Sequence, residues 1–171
     1  MITDALVLTI FPVLLVFAAV TDLLTMTIPN RVPVGLAAGF LLLALVSGMS
    51  LEAIAVHLGG GLAVLVLGFC LFSFGYIGGG DAKLLAGTAL WFGWTEIVPF
   101  VIVTSLSGGL LGIALLSARR IPLPAGLARL PWLARLHDPS EGAPYGIAIA
   151  AGALIVYPDT QWMSLLGRSL L

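Results

Sequence analysis

Long apolar stretches separated by short polar clusters set the pattern of this chain, and each stretch is apolar all round rather than on one face. Bilayer hydrocarbon is about 30 Å thick and asks for roughly 20 apolar residues per helix. On that measure the runs predict six membrane helices, at about residues 5–21, 34–49, 51–74, 83–94, 97–117 and 143–157. The fourth is short, and its end is open between residues 94 and 100 because Gly93, Trp94 and Pro99 crowd the turn into the fifth. The sixth has room to run a few residues longer. No internal repeat or second domain is marked off, so residues 1–171 are expected to form one all-α, polytopic membrane bundle of about six transmembrane helices.

One long polar segment interrupts this pattern, over residues 118–142. It carries Arg119, Arg120, Arg129 and Arg135, while Pro122, Pro124, Pro131 and Pro139 break any long helix. Its stretch LARLPWLARL (127–136) sets arginines beside Leu and Trp, which suits a segment lying among lipid headgroups; a plain connecting loop is the equal alternative. With six spans, the loops after the first, third and fifth share one side of the membrane. That side holds Arg31, Lys83, Arg119, Arg120, Arg129 and Arg135, six of the seven basic residues. The other side keeps Arg168, with Asp4, Glu52, Glu96 and Asp159. The positive-inside rule then puts both termini outside and the arginine loop in the cytoplasm.

Composition sharpens the assignment. Charged residues make up 9% of the chain and apolar ones 60%, too few charges to cover a water-facing surface, so the lipid bilayer is its solvent. The net charge of −1 and the lack of a basic run leave no case for nucleic acid. Only Asp4 is charged before residue 22, so the first run lacks the basic start of a secretory signal and is expected to stay as a span. The single cysteine, Cys70, excludes an internal disulfide and reads as a small apolar residue. His57 and His137 stand 80 positions apart and in no ligand spacing, so neither metal nor bound cofactor is expected. Small residues four apart, at Gly35 and Gly39, Gly108 and Gly112, and Gly142 and Gly146, with Gly59, Gly60 and Gly61 in the third span, suit close helix packing in lipid.

Ionisable residues at a membrane are costly and mark function. Asp22 closes the first span, and Asp81 opens the fourth after Gly78, Gly79 and Gly80. On the orientation above both sit at cytoplasmic helix ends, at similar depth, although 59 positions separate them. The glycine run can take backbone conformations closed to other residues and lets a peptide pass close by. It also sets Asp81 near a helix N-terminus, which favours an anion. Two carboxylates at close range do not both ionise easily; one tends to hold a proton. The charged member can then act on a water while the protonated one polarises a peptide carbonyl. An N-cap, or an ordinary interfacial pair of Asp81 with Lys83, is the structural alternative.

Three segments carry a resemblance. Gly78-Gly79-Gly80-Asp81 fits the GxGD pattern of intramembrane aspartyl proteases, and GGGDAKLLA resembles the type IV prepilin peptidase family. Asp22 followed by Ile28, Pro29 and Asn30 is similar to that family's first acidic segment. APYGIAIAAGAL (143–154) is similar to the start of its last helix. The resemblance implies an enzyme of the cytoplasmic (inner) membrane that removes the short basic leader of prepilin-like proteins, at the cytoplasmic boundary just before the pilin's hydrophobic helix. It implies Asp22 and Asp81 as the catalytic pair, with Gly78 and Gly80 shaping the second motif and Lys83, Pro29 and Asn30 at matching positions. Only about a dozen residues separate the first two spans, without the cysteine-bearing, methylating insertion of the large family members. The chain therefore looks like a minimal form, similar to peptidases of tight-adherence (Flp-type) pili, with archaeal preflagellin peptidases second. The presenilin-like branch fits poorly, because Thr21 precedes Asp22 and Pro144-Tyr145-Gly146 stands where that branch has Pro-Ala-Leu. Outside this class, an ion-coupled carrier would use the two aspartates near the midplane, and a non-catalytic assembly subunit would use them only to orient helices.

Overall fold

The computed structural model describes the backbone over residues 2–164 and side chains from residue 6 onward; Arg168, and the side chain of Asp4, lie outside the described residues. The described residues form seven α-helices in order: α1 Ile2–Thr25, α2 Arg31–Val46, α3 Leu51–Ser73, α4 Gly79–Ala89, α5 Trp94–Ala118, α6 Pro131–His137 and α7 Tyr145–Val156. Two 3-10 turns, Leu127–Arg129 and Tyr157–Asp159, precede α6 and follow α7. No strand occurs among the described residues. Each of the six apolar runs contains a helix, although the fourth leaves its helix after Ala89, and α6 lies inside the polar segment.

Among the described residues three helices, α1, α3 and α5, are long and apolar enough to cross a membrane on their own. The others are shorter: 16 residues in α2, 11 in α4 and 12 in α7. At 1.5 Å per residue, α4 and α7 are about 16–18 Å long, roughly half the hydrocarbon depth. Their endings have local causes. After Ala89 the chain tightens, with Trp91 N–H donating to Thr88 O (3.0 Å) and Phe92 N–H to Ala89 O (3.1 Å). Both aromatic side chains turn into the core, where Trp91 Nε1–H finds the Leu36 carbonyl at 3.0 Å. α7 ends for a different reason: Pro158 has no N–H to continue the ladder just past Tyr157.

The two short helices are inner elements. α7 packs between α1 and α5, α4 packs between α2 and α3, and α4 and α7 touch one another. Both bury mainly small residues, such as Ala82, Ala86 and Ala89 on α4 and Ala148, Ala150 and Ala153 on α7. Leucines and valines of the longer helices, such as Val13, Leu62, Leu106 and Leu110, face outward, as lipid contact requires. Missing Cβ atoms set the helix spacing. A Cβ on Gly68 would lie 3.1 Å from Ala82 of α4, one on Gly87 would lie 3.2 Å from the Pro33 carbonyl of α2, and one on Gly152 would lie 2.8 Å from the Thr104 backbone of α5. Of the glycine pairs four apart, one member does this work. Gly39, Gly108 and Gly146 are tightly covered, whereas Gly35 has ordinary contacts and Gly112 and Gly142 face open space.

At the end of the bundle away from residues 22 and 81, Phe11, Phe40, Trp91 and Trp162 interlock, with Trp91 and Trp162 rings 5.5 Å apart. His57 completes that cluster. Its Nδ1 lies 2.7 Å from the Leu90 carbonyl, its ring stacks on Phe40, and Nε2 meets the Gln161 amide. This histidine is a satisfied core residue.

Candidate functional site: two carboxylates at helix ends

Asp22 stands one turn before the end of α1, which runs past the predicted boundary to Thr25. Met26 then takes a left-handed conformation (φ 54°) and donates its N–H to the Asp22 carbonyl at 2.7 Å, closing the helix and turning the chain sharply. The Asp22 side chain is only 5% exposed. Its Oδ2 accepts the Gly146 N–H at 2.7 Å, so the carboxylate sits on the first turn of α7, where unpaired N–H groups and the helix dipole favour negative charge. A Cβ on Gly146 would fall 2.9 Å from that oxygen and 3.0 Å from Asp22 Cβ. The glycine is there because the acid is pressed against it.

Asp81 is the third residue of α4, and its Oδ2 accepts the Gly78 N–H at 3.1 Å, reaching back across the helix start. Each acid thus has one oxygen bound by a backbone N–H at the beginning of a helix. The glycine run works through space rather than through unusual backbone. Gly78 has φ −71° and ψ 152°, open to most residues, and the positive-φ glycines are Gly48 and Gly75 instead. The freedom of residues 78–80 to take conformations closed to other residues is thus not used at Gly78. A Cβ on Gly78 would lie 2.9 Å from Asp81 Oδ2, while one on Gly80 would make only ordinary contact with Ile28, at 3.4 Å.

The remaining motif residues join the two segments. Pro29 O accepts the Val32 N–H at 2.9 Å as α2 begins, and Asn30 is the N-cap residue of α2. Lys83 Nζ donates to Asn30 Oδ1 at 3.0 Å, across 53 positions of sequence. Lys83 is therefore tied to the amide of the first motif, and not to Asp81.

Asp22 and Asp81 line one cavity of about 470 Å³, together with Ile28, Asn30, Lys83 and the three glycines. Glu141, Gly142 and Ala143 form its far wall. The polar segment brings them there. Arg135 Nη2 donates to the Leu24 carbonyl at 2.5 Å, fastening α6 to the C-terminus of α1. Arg119 donates to the carbonyls of Leu136 (2.8 Å), Glu141 and Gly142 (both 3.0 Å). Between them, Ser140 binds the exposed Asp138 carboxylate through its hydroxyl and N–H, holding that acid below the usual carboxylate range. Arg119 and Arg135, which the sequence marks for topology and, in Arg135, for a place among lipid headgroups, are thus fasteners of this segment. Among the described residues, no group of three or more His, Cys, Asp or Glu side chains is placed to hold a metal ion.

Sequence reasoning brings Asp22 and Asp81 to the same side, and the structure brings both to one cavity. It does not single out Gly146, Glu141, Arg119 or Arg135. The Pro144-Tyr145-Gly146 match was the available signal for the first; for the others none existed, because loop arginines and a loop glutamate look alike until the loop is folded.

Comparison with known proteins agrees with the geometry. No solved structure matches the chain. A curated relative, the prepilin leader peptidase/N-methyltransferase of Aeromonas hydrophila, is 34% identical over 151 residues, covering 82% of this chain and 46% of the relative. The chain thus spans less than half the length of that relative. The model of the type IV leader peptidase family matches residues 9–113, from α1 through most of α5, and so includes both acids and both motifs around them. On that match, the chain belongs to the type IV leader peptidase family.

Proposed function

We propose that this chain is an intramembrane aspartyl endopeptidase, a single transmembrane peptidase domain over residues 1–171, with Asp22 and Asp81 as its catalytic pair. Its substrates are prepilin-like proteins with a basic leader and a hydrophobic helix, of the Flp type, cleaved for pilus assembly. The enzyme lies in the cytoplasmic (inner) membrane, with both termini outside and the cavity open to the cytoplasm.

One observation carries this reading: two carboxylates 59 positions apart line a single cavity, each with one oxygen held by a backbone N–H at a helix start. The bound oxygens fix the orientation of both groups, which leaves the other oxygens for chemistry. In the proposed reaction one ionised carboxylate takes a proton from water as that water attacks the scissile carbonyl. The protonated partner donates a hydrogen bond to the carbonyl oxygen and then delivers a proton to the leaving amine. Like charges that face one another at close range favour the singly protonated pair that such a mechanism needs. Gly78 and Gly80 shape the approach to Asp81, and the Lys83–Asn30 bond holds the two motif segments at a fixed spacing. Two carboxylates and a water suffice, so neither metal nor cofactor takes part.

The test is cleavage of a co-reconstituted Flp-type prepilin by the native protein, Asp22→Asn and Asp81→Asn. Cleavage by the native protein, lost in each variant that still inserts, is the expected result. Full activity in either variant would exclude the pair.

A further inference from the structure

A second cavity, of about 600 Å³, lies beside the first and is almost wholly apolar. It is a groove between α2 and α3, which both lean on α4 rather than on one another. Helical spacing recurs in its lining: residues 30, 33, 34 and 37 at and after the start of α2 on one side, residues 61, 62 and 65 of α3 on the other, and residues 83, 86, 87 and 90 on and just past α4 between them. Steps of three and four make a continuous stripe two turns long, about 10 Å. Small residues, including Ala37, Ala86 and Gly87, form the floor, and Val34, Leu62 and Leu65 form the rims.

Two residues, Asn30 and Lys83, line both this groove and the cavity of the two acids. The apolar hollows between α3 and α5 share no lining residue with that cavity. A membrane-embedded substrate cut at the acids must continue from them into lipid, and the groove is the apolar surface that begins where the acids' cavity ends. A floor of small side chains lets a helix backbone approach closely in a solvent with no hydrophobic effect to drive packing; an acyl chain needs no such floor.

We propose that this groove seats the membrane helix of the substrate, with Lys83 and Asn30 marking the point where the substrate chain leaves its helix for the acids. The inference rests on the peptidase reading above. Seating on α4 gives the site a register: the helix lies against the same element whose first turn carries Asp81, so its depth sets which peptide bond reaches the acids.

The test separates the two readings. In a Cys70→Ser background, since Cys70 is exposed on α3, single cysteines are placed at Ala37 or Leu65 in the groove, or at Leu110 on the outer face of α5. Each is combined with Asp81→Asn and with a Flp-type prepilin carrying one cysteine stepped along its hydrophobic helix. Oxidation in membranes should give disulfide-linked pairs from Ala37→Cys and Leu65→Cys, but not from Leu110→Cys. Equal linkage from Leu110→Cys, or none from the two groove positions (as when lipid alone fills the groove), overturns the proposal. Linkage needs no cleavage. Linkage without cleavage by the Asp81-containing protein would keep the groove and sink the peptidase, and cleavage without linkage would do the reverse. In kinetics, Ala37→Trp should raise KM about tenfold with kcat near native, while Leu110→Trp leaves both unchanged. A kcat loss with KM unchanged in Ala37→Trp would also count against substrate seating.

Discussion

Gly146→Ala tests whether the first turn of α7 holds Asp22 in its working position. A Cβ at residue 146 would meet Asp22 Oδ2 at 2.9 Å, Cβ at 3.0 Å and Cγ at 3.2 Å, all closer than ordinary contact. Something must move by a few tenths of an ångström. α7 has little freedom to do so, because Gly152 already abuts the Thr104 backbone and Tyr145 fills the space above Gly108. The carboxylate therefore gives way, and the 2.7 Å bond from Gly146 N–H to Oδ2 is stretched or lost. A hydrogen bond to a charged group contributes about 1.5–3 kcal/mol. If the bond orients Asp22 for the reaction, that converts to a fall of about tenfold to a hundredfold in kcat/KM, carried mainly by kcat. The assay is the rate of prepilin cleavage in reconstituted vesicles, with thermal unfolding in detergent measured beside it. Two controls give the result its meaning. Gly112→Ala faces open space and should leave the rate and stability unchanged. Gly152→Ala collides with the α5 backbone far from the acids and should lower the unfolding temperature without a selective loss of kcat in the molecules that remain folded. Cleavage by Gly146→Ala within about twofold of native, in protein that inserts normally, would refute the idea that this contact orients Asp22.

Two further outcomes follow from the same site. Lys83→Ala and Asn30→Ala should be non-additive in kcat/KM, with a coupling of about 0.5–1.5 kcal/mol for their shared hydrogen bond; strict additivity would show that the 3.0 Å contact is not used. Cleavage should persist at the native rate after EDTA treatment, and inhibition reversed by added zinc would overturn a mechanism built on two carboxylates alone.

Much of this protein is determined by its chain before any folding. A composition of 60% apolar and 9% charged residues makes lipid the solvent, and in lipid each apolar run must be a helix because no water is there to satisfy its backbone. The same reasoning singles out Asp22 and Asp81 as candidates, since ionisable groups at a membrane are costly. Neither helix length nor neighbour was legible in this way. Residues 83–94 and 97–117 read as the fourth and fifth spans, yet α4 begins at Gly79 and stops at Ala89, and α5 begins at Trp94. Hydropathy measures what a segment can tolerate, and an apolar residue such as Trp91 suits a core as well as lipid; only the packing of α2 and α3 around it made α4 a short inner helix. Hydrogen bonds across long separations were hidden for a related reason. Gly146 with Asp22, Lys83 with Asn30, and Arg135 with the Leu24 carbonyl are pairings of residues 124, 53 and 111 positions apart. Local pattern carries no term for such distances. Tertiary structure decided them, by bringing helix ends together, where each unpaired polar group had to find a partner.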